Sequence, residues 1–135
     1  MATVRRSYLN LKEKDIQEAC CALLLLDDWR VIHTDLKHLR GMGVQEPGIA
    51  DDLFIRYMTL STSKPLLAAV MWIEWKRIDP RGRRTQASQK QIAWHELERK
   101  RGALTLIAGF DFEPTTEGFK TFYKNSGLMR KRILS

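Results

Sequence analysis

Val70-Met71-Trp72-Ile73-Glu74-Trp75-Lys76 closes an apolar run that begins at Leu66. A stretch of this length and composition reads as a strand from Leu66 to Lys76. Side chains alternate between the two faces of a strand. Glu74 and Lys76 therefore point one way, while Met71, Ile73 and Trp75 point the other way into a core. Burying a carboxylate and an ammonium at the end of an apolar strand is costly unless they are paired or metal-bound. Packing does not call for them, so they mark a site.

Working upstream, Ile49 to Leu60 reads as a second strand, centred on Leu53 to Met58 and entered through Asp51. Two carboxylates on neighbouring strands can share a divalent cation. Magnesium takes hard oxygen ligands and keeps several waters. The expected ligands are Asp51 and Glu74, with the backbone carbonyl of Trp75 as a further one. Lys76 is placed to orient or deprotonate an attacking water, or to stabilise charge on a phosphate. Phosphodiester hydrolysis needs such a site, because a cation stabilises the negative charge of the transition state and lowers the pKa of its water.

Further out, Trp29 to His33 alternates as a short strand. Asn10 to about Leu26 reads as a helix, with Ile16, Ala19, Cys20, Leu23 and Leu24 as its buried stripe. Asn10 and Glu13 fit a capping box. Downstream, Asp79 to Arg84 is a basic turn. A helix follows from about Ser88 to Lys100, stopped near Gly102, and Ala103 to Ala108 is a short strand. Thr116 is the expected cap of a last helix through about Lys124. Residues 1–9 read as a loose arm and 128–135 as a basic tail prone to fraying. The order helix, strand, strand, strand, helix, strand, helix predicts an α/β fold, a mixed central sheet flanked by helices. No linker divides the 135 residues, so one domain is expected.

The composition agrees with a globular chain. Forty-four per cent of residues are hydrophobic, and the formal net charge is +7. A domain of this size buries roughly 65–70% of its unfolded surface, enough for a core without disulfides. The basic excess favours a polyanionic partner, nucleic acid first and an anionic membrane surface second. Adjacent Cys20 and Cys21 suit neither a disulfide nor a zinc site and read as small buried side chains in a reducing cytoplasm. No run is long enough to span a bilayer.

Gly48-Ile49-Ala50-Asp51 followed by Glu74-Trp75-Lys76 resembles the signature of PD-(D/E)XK nucleases. Gln91-Ile92-Ala93-Trp94-His95-Glu96-Leu97 and then Arg101-Gly102-Ala103 resemble the glutamine-led helix and following strand of the VRR-NUC group, the virus-type replication and repair nuclease domain. The likeness runs from roughly Asn10 to Ala108. Ala50 stands where the family often has proline. Asp52 follows Asp51 at once, and Asp51 has the better place in the motif.

The resemblance implies a Mg²⁺- or Mn²⁺-dependent deoxyribonuclease with the restriction-endonuclease-like core. The family often places a glutamate on the first helix facing the metal. At ~100° per residue Glu13 lies beside the apolar stripe and Glu18 nearly opposite it, so Glu13 is the expected ligand. Its competing role is the cap. Gln91 is implied as a site residue, with a capping box to Ser88 as the alternative. Arg77, Arg81, Arg83, Arg84 and Lys90 are expected to grip DNA phosphates, giving affinity and salt dependence without reading sequence. His95 lies one turn beyond Gln91. Trp72, Trp75 and Trp94 read as packing.

The standalone phage form of the family implies action on branched DNA such as Holliday junctions, and a symmetric junction implies a homodimer. The alternative reading is a non-catalytic DNA-binding or assembly subunit that keeps the nuclease fold.

Overall fold

A computed structural model describes residues 12–34, 46–59 and 66–134. The expected N-terminal arm and Asn10 lie outside them. Along the chain come α1 (Glu13–Leu26), β1 (Arg30–His33), β2 (Asp52–Thr59), β3 (Leu66–Glu74), α2 (Gln89–Lys100), β4 (Leu104–Ile107) and α3 (Thr116–Asn125). The strands form one mixed sheet in the order β1-β2-β3-β4. β1 and β3 each run antiparallel to β2, and β4 runs parallel to β3. The chain is thus α/β with a four-stranded mixed sheet, as its element order predicts.

Several boundaries differ from the expectation. α1 begins at Glu13, not Asn10. Its first turn is closed by Asp15, whose carboxylate accepts from the Lys12 N–H at 3.0 Å. Glu13 is therefore free of the capping role. β3 ends at Glu74, leaving Trp75 and Lys76 just past the ladder. The cap of α3 is Thr115 rather than Thr116, and its hydroxyl accepts from Gly118 N–H at 2.9 Å.

One sheet face packs on α1 and α3. Ile16, Cys20, Cys21 and Leu24 of α1 meet Phe54, Met71, Ile73 and Trp75 of the sheet, with Phe119 and Tyr123 of α3. Ala19 is exposed and Cys21 buried, which turns the buried stripe slightly from its expected line. Trp75 sits edge-on to Phe54, Phe112 and Phe119. α2 lies on the opposite face, where Trp94 packs edge-on against Trp72 with ring centres 4.9 Å apart.

The C-terminal tail does not fray in the way its composition suggests. Asp27, fully buried, accepts from the main-chain N–H groups of Arg130 and Lys131. It also accepts from the Tyr123 hydroxyl and from Arg56 Nη1 at 3.1 Å. Burial alone would raise the Asp27 pKa, but these donors outweigh it and hold the carboxyl below its ordinary range.

Candidate active site

Antiparallel pairing brings the start of β2 and the end of β3 to one edge of the sheet. Asp52 pairs with Ile73, so Asp51 falls opposite Glu74. The Asp51 N–H donates to Glu74 Oε2 at 3.2 Å, and the Trp75 N–H donates to Asp51 Oδ2 at 2.8 Å. Each carboxylate is thus held by the main chain of the other strand.

Glu74 and Lys76 face the same side, as alternation predicts. Lys76 Nζ lies 3.3 Å from Glu74 Oε1. Only 2% of Glu74 and 8% of Lys76 is exposed, so this is a buried pair rather than a surface one. Gln91 joins them from the first turn of α2. Its Nε2 donates to Glu74 Oε1 at 2.5 Å, and its Oε1 accepts from Lys76 Nζ at 3.1 Å. The same Oε1 accepts from the Ser88 N–H at 2.8 Å, while the Ser88 hydroxyl accepts from the Gln91 N–H. The cap and the site contact are not alternatives: one amide fills both.

The loop before β2 is clamped to the same helix turn. Gly48 has φ +81°, and a Cβ there would stand 2.2 Å from the Lys90 carbonyl oxygen. The Trp94 indole N–H donates to Glu46 at 2.7 Å. A cavity of about 300 Å³ opens between this loop and the start of α2, beside Gln91 and Lys90.

Burial dominates the electrostatics. It pushes the Glu74 carboxyl up to about 8, with Asp51 adding to the rise and Lys76 opposing it. It pushes Asp51 up to about 6, opposed first by the Trp75 N–H and reinforced by Glu13 and Asp52. Glu13 is half-buried and also raised by burial, with Lys76 and Arg77 pulling it down. Glu13 therefore shares the field of this centre, whereas exposed Glu18 pairs with Lys14.

Among the described residues no three His, Cys, Asp or Glu groups are gathered closely enough to hold a metal ion. The donor set at the sheet edge is two carboxylates. That number suits magnesium, which takes one or two carboxylates and completes its shell with water and phosphate. A divalent cation also offsets the burial of both carboxylates and the repulsion that adds to it.

Asp51 and Asp52, left adjacent and ambiguous in sequence, point to opposite sides. Asp52 is fully buried towards α1. It accepts from Gln17 Nε2 at 2.8 Å, Trp75 Nε1 at 2.7 Å and the Cys21 thiol, and it pairs with His33 Nδ1. Sequence reasoning missed this network. Strand alternation and the four-residue spacing of Glu13 and Gln17 were its only signals.

His95, one turn beyond Gln91, is 1% exposed, with no hydrogen-bond partner for either ring nitrogen among the described residues. Burial, with Arg99 and Lys76, pushes it down to about 4. The basic cluster is only partly available. Arg83 pairs with Asp79 at 3.1 Å, and Arg84 donates from Nη2 to both carboxylate oxygens of Glu113. Arg77 is half-buried, while Arg81 and Lys90 are exposed.

No helix among the described residues is long and apolar enough to cross a membrane. No protein-family model, curated protein or solved structure matches the chain.

Proposed function

We propose that this chain is a Mg²⁺- or Mn²⁺-dependent nuclease with a PD-(D/E)XK-type core that hydrolyses DNA phosphodiester bonds, acting on branched DNA such as four-way junctions. The observation that carries the reading is the meeting of Asp51, Glu74, Lys76 and Gln91 at one sheet edge, with both acids raised by burial. Asp51, Glu74 and the Trp75 carbonyl would hold the cation, with Glu13 adjusting its field. When bound, the cation supplies positive charge for the phosphate and acidity for a water. Lys76, kept in place by Glu74 and Gln91, sets an ammonium beside the phosphate. Exposed Arg81 and Lys90 grip flanking phosphates. Two sites in a homodimer would match the two strands cut at a symmetric junction.

A second reading, a non-catalytic DNA-binding subunit, is favoured by one observation: among the described residues two carboxylates, not three ligating groups, converge. Cleavage of labelled duplex, flapped and four-way-junction DNA with Mg²⁺ or Mn²⁺ separates the two. Metal-dependent cutting that falls at least ~100-fold in both Glu74→Ala and Lys76→Ala supports the nuclease. Binding without cutting under every metal condition overturns it in favour of the second reading.

A further inference from the structure

β4 runs parallel to β3 and ends beside the site, with Ile107 the register partner of Glu74. The turn that follows is fixed to the same strand. The Ala108 N–H donates to the Glu74 carbonyl oxygen at 3.0 Å. Phe110 and Asp111 both donate their N–H groups back to the Ile107 carbonyl at 3.0 Å, and Gly109 takes the positive φ of +93° that the reversal needs. The Asp111 carboxylate in turn accepts from the Ile107 N–H at 2.7 Å. Phe112 then returns the chain to the core, its ring edge-on to Trp75, the residue between Glu74 and Lys76.

The tip of this turn is Phe110. It is 68% exposed, more than any other large hydrophobic residue among those described. Turn tips ordinarily carry Gly, Asn, Asp or Ser, each of which serves the turn itself. Gly109 and Asp111 already do that here, so neither the turn nor the core requires the phenyl ring. A single exposed apolar residue is ordinary on its own. This one stands on a main chain hydrogen-bonded to Glu74, and its surroundings are basic. Arg84 donates to both carboxylate oxygens of Glu113, which joins the turn from Asp79 to Arg84 to this one. Exposed Arg81 and Arg83 belong to that basic turn. Arg99 Nη2 lies 3.4 Å from Asp111 Oδ2, so Asp111 and Glu113 are both engaged by arginines. A rigid aromatic face set among arginines suits a nucleobase, which stacks on such a ring whatever its identity. A base stacked within a duplex has no free face to offer, so the partner is an unpaired one.

We propose that Phe110 is a substrate-contacting residue that stacks on an unpaired nucleobase of the DNA, at a branch or strand end, beside the carboxylate pair. This takes its substrate from the nuclease reading, but its test is binding alone. Affinity is measured with Ca²⁺ in place of the catalytic cation, on intact duplex and on duplex carrying a single-stranded flap. The proteins are the wild type, Phe110→Ala, Phe110→Leu and Phe110→Trp. Because the ring is exposed, melting temperatures should stay within a few degrees of wild type.

Phe110→Ala should bind flapped DNA about tenfold more weakly, and intact duplex within about twofold of wild type. The slope of log affinity against log salt should not change, since no charge is removed. Phe110→Trp should restore the flap preference and Phe110→Leu should not, because stacking needs a π-face as well as apolar area. Equal affinity of wild type and Phe110→Ala for flapped DNA overturns the proposal while leaving the nuclease reading to the cleavage assay. A loss of the same size on both DNAs, or full rescue by leucine, also overturns it. A wild type that shows the Phe110-dependent flap preference but never cuts upholds the stacking and sinks the nuclease. A wild type that binds no DNA overturns both, and self-association lost in Phe110→Ala would then mark the ring as a contact between copies.

Discussion

At the scale of single residues, Gln91 shows most clearly how the site is built. Its side-chain oxygen takes the Ser88 N–H and the Lys76 ammonium, and its nitrogen holds Glu74. Gln91→Ala should cost about 1 kcal/mol of stability through the lost side-chain half of the capping box, the Ser88 hydroxyl cap remaining. It should lower cleavage by about 10–100-fold through the freed Lys76 and Glu74, as loss of a group that orients a ligand typically does. Gln91→Glu retains the acceptor for the Ser88 N–H but replaces the donor to Glu74 with another acid, so it should lose activity and melt below wild type, the more so as pH rises. Thermal melts beside cleavage at several Mg²⁺ concentrations separate these effects. The positions of Glu74 and Lys76 were legible because a two-residue period is dictated by the strand backbone. The double role of Gln91 was not, because sequence spacing cannot show that a helix N-terminus abuts a strand end. The partners of Asp52 were hidden for the same reason, since Gln17, His33 and Trp75 come from three elements.

At the scale of elements, the fold turns on how closely the loop before β2 is seated on α2. Gly48 combines a left-handed φ with a main-chain approach that leaves no room for a methyl group. Gly48→Ala should therefore destabilise the protein by about 2–3 kcal/mol. It should also reduce cleavage beyond what the unfolded fraction explains, because relief of the clash moves either Asp51 or the turn that carries Gln91. Activity measured well below the melting temperature would expose the second effect; activity equal to wild type there would show that the loop yields without disturbing the site. The glycine was readable as the start of the Gly48-Ile49-Ala50-Asp51 signature, but its closeness to Lys90 was not. The anchored tail had no local signal at all, since the donors to Asp27 lie about a hundred positions away in the chain. Composition suggested a loose basic end, and a single buried carboxylate decides otherwise.

At the scale of the whole molecule, the site leaves its mark on the pH dependence of stability. Glu74 rises from 4.5 to about 8 and Asp51 from 3.8 to about 6 on folding, chiefly through burial. An acid that binds its proton more tightly when folded stabilises the fold below its ordinary pKa and loses that stabilisation as pH climbs through the folded value. Without divalent cations, stability should therefore decline from about pH 4.5 to pH 8, by on the order of 3 kcal/mol, or roughly 10 °C in melting temperature. His95 acts in the opposite direction. Its pKa falls from 6.5 to about 4, so its contribution is present above pH 6.5 and lost as pH drops through 4. The two trends confine the stability of the metal-free protein to mildly acidic pH. Melting curves from pH 4 to 9 in the presence of a chelator test this directly. Glu74→Gln should flatten the basic limb and melt higher than wild type at pH 8.5, whereas His95→Phe should flatten the acidic limb. Mg²⁺ or Mn²⁺ should raise the melting temperature at pH 8.5 far more than at pH 5, where protons already occupy the carboxylates, and Glu74→Gln should remove that difference. A metal shift equal at both pH values would separate cation binding from this pair of acids. A basic limb unchanged in Glu74→Gln would mean that the charge buried at the sheet edge costs the fold little.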